Sequence, residues 1–154
     1  MILRPYHPDD LPALVRLFHD TIHAVAPGCY SRAQVAAWAP AEPDLDRWRQ
    51  KLQEEEVLVA ELDDAIIGFC SWDSSGYLDF LYVHHRHQRK GVAAMLYAAA
   101  EAALRMKGLP RIHTQASLTA QPFFLRQGFH VVKHQTVHVR EVDLPNAVME
   151  KLLA

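Results

Sequence analysis

Along 11–25 the apolar residues Leu11, Leu14, Val15, Phe18, Ile22 and Val25 recur at steps of three and four, the period that lines one face of a helix. The spacing predicts an amphipathic helix over roughly 9–25, capped by Asp9 or Asp10 and ended by Pro27-Gly28. Ser31 with Gln34 has the form of a capping box for a short second helix, whose apolar face is Val35 and Trp38 and which Pro40 and Pro43 close. A third helical stretch, about 45–54, puts Leu45, Trp48 and Leu52 on one side. The period then changes. Residues 57–62 and 65–72 read as strands joined by an Asp63-Asp64 turn, and 77–83 as a third strand after Ser74-Ser75-Gly76. A long helix follows Gly91, with Val92, Met95, Leu96, Ala99, Ala103 and Met106 as its apolar residues; it stops at Gly108, with Pro110 beyond. A strand over 112–116, a short helix over 119–127 closed by Gly128, and a strand pair over 131–142 and 147–153 around Asp143-Leu-Pro-Asn146 complete the chain. Antiparallel strands, a helical crossover, a further strand and helix and a closing hairpin make an α/β order.

Composition narrows the function classes. A chain of 154 residues is the size of one compact domain, so 1–154 is expected to fold as a single unit without staples. A net charge of −2 argues against a nucleic-acid surface, which normally shows as a strong basic excess. No apolar run of about eighteen residues and no signal-peptide core occur, so a soluble, cytoplasmic protein without a membrane partner is expected. Cys29 and Cys70 stand in unrelated contexts and read as free thiols. The ten histidines include His84, His85 and His87 in one loop, but no Cys or carboxylate completes a tetrahedral set at a recognisable spacing, so no metal is expected.

The most informative stretch is 79–95, which runs from an apolar strand through a basic turn into the alanine-rich helix. Free N–H groups and the aligned peptide dipoles at a helix N-terminus attract phosphate. Gly91 lets the backbone approach a bulky ligand, and Arg86, Arg89 and Lys90 add cationic donors. A Walker loop is excluded because Lys90 precedes the only local glycine and Val92 follows it, and a dinucleotide fingerprint because it needs three glycines near the first strand.

Gln88-Arg89-Lys90-Gly91-Val92-Ala93 resembles the acyl-coenzyme A pyrophosphate loop of the GCN5-related N-acetyltransferases (GNAT). A second stretch, Ala120-Gln-Pro-Phe123-Phe124-Leu-Arg126-Gln-Gly128-Phe129, looks like the same family's Ala-x-x-Phe-Tyr-x-x-x-Gly-Phe helix at the expected distance. Tyr30-Ser31-x-x-Gln34-x-x-x-Trp38 and the run from Ser117 to Phe124 are similar to the YafP-type branch of that family. The resemblance covers nearly the whole chain. It implies the GNAT fold, a mixed, mostly antiparallel sheet of about six to seven strands flanked by helices, and an acetyl-CoA-dependent N-acetyltransferase without a metal. The expected acceptor is a small-molecule or protein amine, and a homodimer is a candidate assembly.

The resemblance also implies roles. Strands four and five splay, and the backbone of Leu81, Tyr82 and Val83 would pair with pantetheine as an added strand does. The Leu81 N–H would stabilise the oxyanion. Ser117 stands where many relatives hydrogen-bond pantetheine with asparagine, but it equally suits a helix cap. Arg126 matches a position that often contacts the nucleotide end. Asp79, two residues before Leu81 and so expected on the same face, is one pleat step from Tyr77, where some relatives carry a glutamate base. It is a candidate base, or a carboxylate that merely pairs with a neighbouring cation. Tyr30 and Trp38 are candidate acceptor-pocket residues or plain core aromatics. Phe124 occupies the usual place of the tyrosine that protonates the departing thiolate. Either the thiolate leaves unassisted, or Tyr30 or Tyr82 serves, or the chain is an acyl-CoA-binding regulatory module with little turnover.

Overall fold

The computed structural model describes residues 1–153. Seven strands form one sheet in the order β1-β2-β3-β4-β5-β7-β6. They are β1 (Ile2–Pro5), β2 (Glu56–Leu62), β3 (Ala65–Trp72), β4 (Tyr77–Val83), β5 (Arg111–Ser117), β6 (His130–Val139) and β7 (Val142–Leu152). The helices are α1 (Leu11–Val25), α2 (Arg32–Trp38), α3 (Leu45–Glu54), α4 (Val92–Met106) and α5 (Gln121–Arg126). Every neighbouring pair is antiparallel except β4 and β5, which run parallel because α4 carries the chain across the sheet between them. The sheet therefore has the expected mixed, mostly antiparallel form.

Two apolar layers hold the helices to the sheet. On one face Leu96, Ala100 and Leu104 of α4 pack on Leu78, Val83 and Ile112; on the other, Leu11 and Leu14 of α1 and Leu52 of α3 pack on Val59, Phe69 and Phe80. Gly68 on β3 is the close-approach point of the first layer: an added Cβ would stand 3.0 Å from the Tyr82 carbonyl oxygen and 3.2 Å from Leu96. The face of α4 departs from expectation. Met95 and Met106 are exposed, and Tyr97, Ala100 and Leu104 take the core side, with the Tyr97 hydroxyl donating to Glu101 at 2.6 Å. Tyrosine serves here because its ring fills the core while its polar tip finds a partner at the layer's edge.

Three further elements differ from the sequence reading. β1 is a short edge strand with too few residues for a period to declare itself. Asp10 does not cap α1; its carboxylate takes Arg4 at 2.9 and 3.0 Å and the His7 N–H at 2.8 Å, while His7 caps the preceding 3-10 turn. The closing hairpin turns at Arg140-Glu141, both with positive φ (46° and 64°), not at Asp143-Leu-Pro-Asn146, which lies inside β7. That turn lacks the usual Asn-Gly signature. Pro145 is tolerated because the β5–β7 ladder begins only at Ser117↔Asn146, so on that side its missing N–H has no ladder to interrupt.

Candidate active site

The site begins where the sheet opens. β4 and β5 pair only at Tyr77↔His113 and Leu78↔Thr114, and the Thr114 hydroxyl donates to the Leu78 carbonyl at 2.8 Å at the fork. Beyond it, β5 continues along β7 as far as Ser117 while β4 continues along β3. On β4 the Phe80 N–H goes to Ser71 Oγ on β3 at 3.2 Å, and just past the strand the His84 N–H goes to the Ile67 carbonyl at 2.8 Å. By alternation the backbone groups of Leu81 and Val83 point the other way, into the gap. Those of Tyr82 face β3. The expectation that all three residues offer edge groups is thus corrected to Leu81 and Val83.

A bulge adds a second correction. Cys70 faces Leu81 but Trp72 faces Leu78, so β4 carries one more residue than β3 across this interval. The extra residue breaks the two-residue alternation between Asp79 and Leu81. Phe80 packs with the α1 and α3 aromatics, Leu81 packs toward α4, and Asp79 reaches Lys51 of α3. Asp79 and Leu81 therefore project to opposite faces, and Asp79 lies with the helices that precede β2.

The gap continues into a cleft of about 1080 Å³, lined by Tyr30, Trp38, Asp79, Leu81, Ser117 and Phe124 among others. Eight of the fifteen site residues expected from the sequence surround the acyl end in this way or flank it on β4, six more, Gln88 to Ala93, lie at the start of α4, and Arg126 lies at the end of α5.

At the phosphate end, Gly91 is the N-cap of α4 with φ of 79° and no side-chain cap, and Arg89 also has positive φ (62°). A Cβ on Gly91 would meet nothing within 4 Å, so the requirement for glycine is the left-handed backbone and open access rather than packing. The first helical bond that closes onto Gly91 comes from Met95, leaving the N–H groups of Val92, Ala93 and Ala94 without intrahelical acceptors. Arg89 and Lys90 are exposed and form no ion pair among the described residues. The Gln88 side chain turns inward and donates to the Val83 carbonyl at 2.7 Å, tying the loop to the end of β4. Burial, then His85, His87 and Arg86, push the His84 imidazole down, and its Nδ1 accepts the Arg86 N–H at 3.1 Å.

At the acyl end, Phe124 is buried against Phe123 and Phe129 and also borders the cleft. Ser117 Oγ accepts the Ala120 N–H at 3.2 Å, which realises its capping role. Arg126 is exposed on the last turn of α5. Tyr30 is a strut: its hydroxyl donates to the Pro145 carbonyl at 2.6 Å and accepts the Leu118 N–H at 2.9 Å, joining the loop before α2, β7 and the approach to α5. Burial, only partly offset by the Leu118 N–H, pushes its phenol up. Burial, then Asp79, raise the Tyr82 phenol too. Trp38 stacks edge-on against Tyr30, with ring centroids 5.4 Å apart. Around it the hairpin clamps α2, through Arg140 to the Ala37 carbonyl at 2.7 Å and Gln34 to the Asp143 carbonyl at 2.9 Å.

Asp79 is ion-paired with Lys51 at 3.0 Å, and its side chain is only 11% exposed. Sequence reasoning missed two residues here. Lys51 lies one helical turn after Arg47 on a helix that reads as an ordinary charged surface, and Glu55 follows one turn later at the C-cap of α3. Burial, then the facing Asp79 carboxyl, push Glu55 up to about 8, against the pull of Ser71 and Lys51. A third omission is Asn146, whose buried side-chain oxygen has no hydrogen-bond partner among the described residues and whose side chain borders the cleft. No local motif marks these three, because α3, β4 and β7 meet only in the folded chain.

Residues 28–150 match the family model described as an acetyltransferase (GNAT) domain. The uncharacterized N-acetyltransferase YafP of Escherichia coli (strain K12) is 35% identical over 147 residues, covering 96% of this chain and 93% of YafP. The crystal structure of a GCN5-related N-acetyltransferase from Rhodopseudomonas palustris, also named as a class-II aminotransferase, superposes with a TM-score of 0.95 at 30% identity, covering 99% of this chain and 95% of that one. The structure of YncA from Salmonella typhimurium with its cofactor acetyl-CoA has the same fold, with a TM-score of 0.70 at 21% identity over 100% of this chain and 94% of that one. Family model, relative and architecture agree on one assignment: the chain belongs to the GCN5-related N-acetyltransferase (GNAT) family.

Proposed function

We propose that this protein, read as one catalytic domain, transfers an acetyl group from acetyl-CoA to a primary amine by direct attack while both are bound. The observation that carries the reading is the fork between β4 and β5, whose unpaired edge joins the N-terminus of α4 to the 1080 Å³ cleft. Pantetheine lies in the fork and pairs with the Leu81 and Val83 backbone as an added strand would. Its diphosphate sits over Gly91 on the N–H groups of Val92 and Ala93, with Arg89 and Lys90 supplying charge. Gln88 braces this loop, and in this reading the exposed Arg126 takes the nucleotide end. The YncA complex with acetyl-CoA supports the choice of cofactor.

An ammonium has no lone pair, and an alkyl amine with a pKa of about 10 is almost wholly protonated at neutral pH, so a base is needed. Asp79, on the cleft wall below α3, accepts that proton directly or through water. The neutral amine then attacks the thioester carbon, and the developing oxyanion meets the Leu81 N–H. The thiolate departs past Phe124 without a side-chain acid, which a thiol pKa of about 8.5 permits. Tyr30 and Trp38 border the acceptor side.

A panel of primary amines incubated with acetyl-CoA and followed by thiol release tests the reading. Amine-dependent release by the wild type is expected, and Asp79→Asn should lower kcat/KM by about a hundredfold or more at neutral pH while keeping coenzyme A affinity. Phe124 favours one other reading, a module that binds acyl-CoA without turning it over. Tight coenzyme A binding with no amine-dependent thiol release would establish that reading instead.

A further inference from the structure

The charged groups that border the cleft divide into those already engaged and those left over. Its three carboxylates all have partners: Asp20 lies 3.2 Å from the His19 ring, Asp44 caps α3 by accepting the Arg47 N–H at 3.1 Å, and Asp79 holds Lys51 at 3.0 Å. The arginines are different. The exposed guanidinium groups of Arg16 on α1 and Arg47 on α3 form no hydrogen bond or ion pair among the described residues. Arg140, at the tip of the β6–β7 hairpin, gives one nitrogen to the Ala37 carbonyl at 2.7 Å and pairs with no carboxylate among the described residues. Three guanidinium groups thus border one cleft from three elements without an anion to answer them. They lie on the Asp79 side of the sheet: α1 and α3 pack together on that face, Arg47 is one helical turn before Lys51, and α4 with its phosphate cradle packs on the other face. Between the arginines and the fork the wall is aromatic, with half-buried Phe18, Trp38 and Trp48, the first and last edge-on at 5.0 Å between centroids.

We propose that the acceptor is an amine that also carries a carboxylate, which Arg16 and Arg47 bind, with Arg140 at the rim, while its amine end reaches Asp79. This rests on the acetyltransferase reading above and names the class of its substrate. A guanidinium is weakly hydrated and presents its donors in a planar fork that matches a carboxylate, so it gives up water for this partner more readily than an ammonium does. The aromatic wall takes the carbon skeleton between the two charged ends. The same arginines select against the opposite class. A polycationic amine would bring a second positive charge to groups that have no carboxylate to offset it. Arg16 and Arg47 bind the acceptor at a distance from the reacting atoms, so their effect belongs in KM more than in kcat.

Amines that differ only by a carboxylate test the proposal: phenylalanine against phenethylamine, and 6-aminohexanoate against pentylamine, each with acetyl-CoA and thiol-release detection. In at least one pair the carboxylated member should have a kcat/KM higher by about tenfold or more, and spermidine should be the poorest acceptor. Arg16→Gln and Arg47→Gln should each cut that preference by about tenfold through KM, and Arg47→Lys should recover part of it. Both side chains are exposed, so the variants keep the fold. Neutral amines or spermidine used as well as the carboxylated ones, or a preference that survives in Arg16→Gln/Arg47→Gln, overturns the proposal. Nitrogen-15 NMR of the arginine side chains in the presence of coenzyme A reads binding without turnover. The Arg16 and Arg47 Nε signals should shift saturably with 6-aminohexanoate or phenylalanine and stay in place with pentylamine and phenethylamine. Such shifts without acetylation of any amine keep the carboxylate site and remove the transfer reading. Acetylation of amines with no shift from either carboxylated compound keeps the transfer reading and overturns the site.

Discussion

At Phe124 the family's usual tyrosine hydroxyl is missing, and no nearby phenol replaces it well. Tyr30 spends its hydroxyl on Pro145 and Leu118, and burial raises both Tyr30 and Tyr82, which makes each a weaker acid. The account therefore has the thiolate leaving unaided, and it predicts that Phe124→Tyr accelerates acetyl transfer. General acid catalysis contributes roughly a hundred- to ten-thousand-fold where it operates, so a gain of about tenfold in kcat is a modest expectation. Stopped-flow thiol release checks it; an unchanged kcat would mean that thiolate departure does not limit turnover. Single residues were unevenly legible in the sequence. Gly91 and Phe124 announce themselves because each sits in a local pattern of fixed spacing. Glu55 and Lys51 do not, since their meeting with Asp79 depends on how α3 crosses β4.

Among elements, the bulge in β4 and the hairpin β6–β7 decide how the site is assembled. The bulge turns Asp79 toward α3 while leaving Leu81 at the edge of the fork, a separation that plain alternation does not foresee. The hairpin supports the acceptor wall through Tyr30, whose hydroxyl is bonded both to Pro145 of β7 and to Leu118 on the approach to α5. Tyr30→Phe leaves the Leu118 N–H and the Pro145 carbonyl each short of a partner. A loss of about 2 kcal/mol in urea unfolding is expected, with weaker coenzyme A binding because Ser117 and α5 are no longer held. Stability within a few tenths of the wild type would show that water replaces the hydroxyl. Helices and the first meander were readable because their periods are long and their caps explicit, as at Ser31 and Gln34. The last turn was not, because Arg140-Glu141 adopts positive φ without any residue that favours it, whereas Pro145 imitates a turn inside a strand.

For the molecule as a whole, two carboxyls set opposite slopes of stability with pH. Burial raises Glu101, but Lys151, Tyr97 and Arg105 outweigh it and hold it at about 2, locking α4 to β7. Its folded value is depressed, so its contribution is complete above the ordinary 4.5 and is lost as pH falls toward 2. Glu55 has the opposite sign. With a value raised to about 8, the folded protein binds more protons than the unfolded chain between 4.5 and 8, so stability declines as pH rises through that window. Urea midpoints followed across pH should fall on both sides of a mildly acidic maximum. Glu55→Gln should flatten the alkaline side and leave the acid side intact; an alkaline decline that survives in Glu55→Gln would place its origin elsewhere.

The same architecture makes one claim on which the rest depends, that the opening between β4 and β5 receives the acyl carrier and the start of α4 its diphosphate. Isothermal titration calorimetry of the folded protein with coenzyme A and acetyl-CoA measures this directly. The account predicts saturable 1:1 binding that weakens about tenfold or more in Gly91→Val, where a β-branched side chain opposes the left-handed backbone and covers the helix N-terminus. Absence of binding by well-folded wild-type protein, or binding that Gly91→Val leaves untouched, would contradict it.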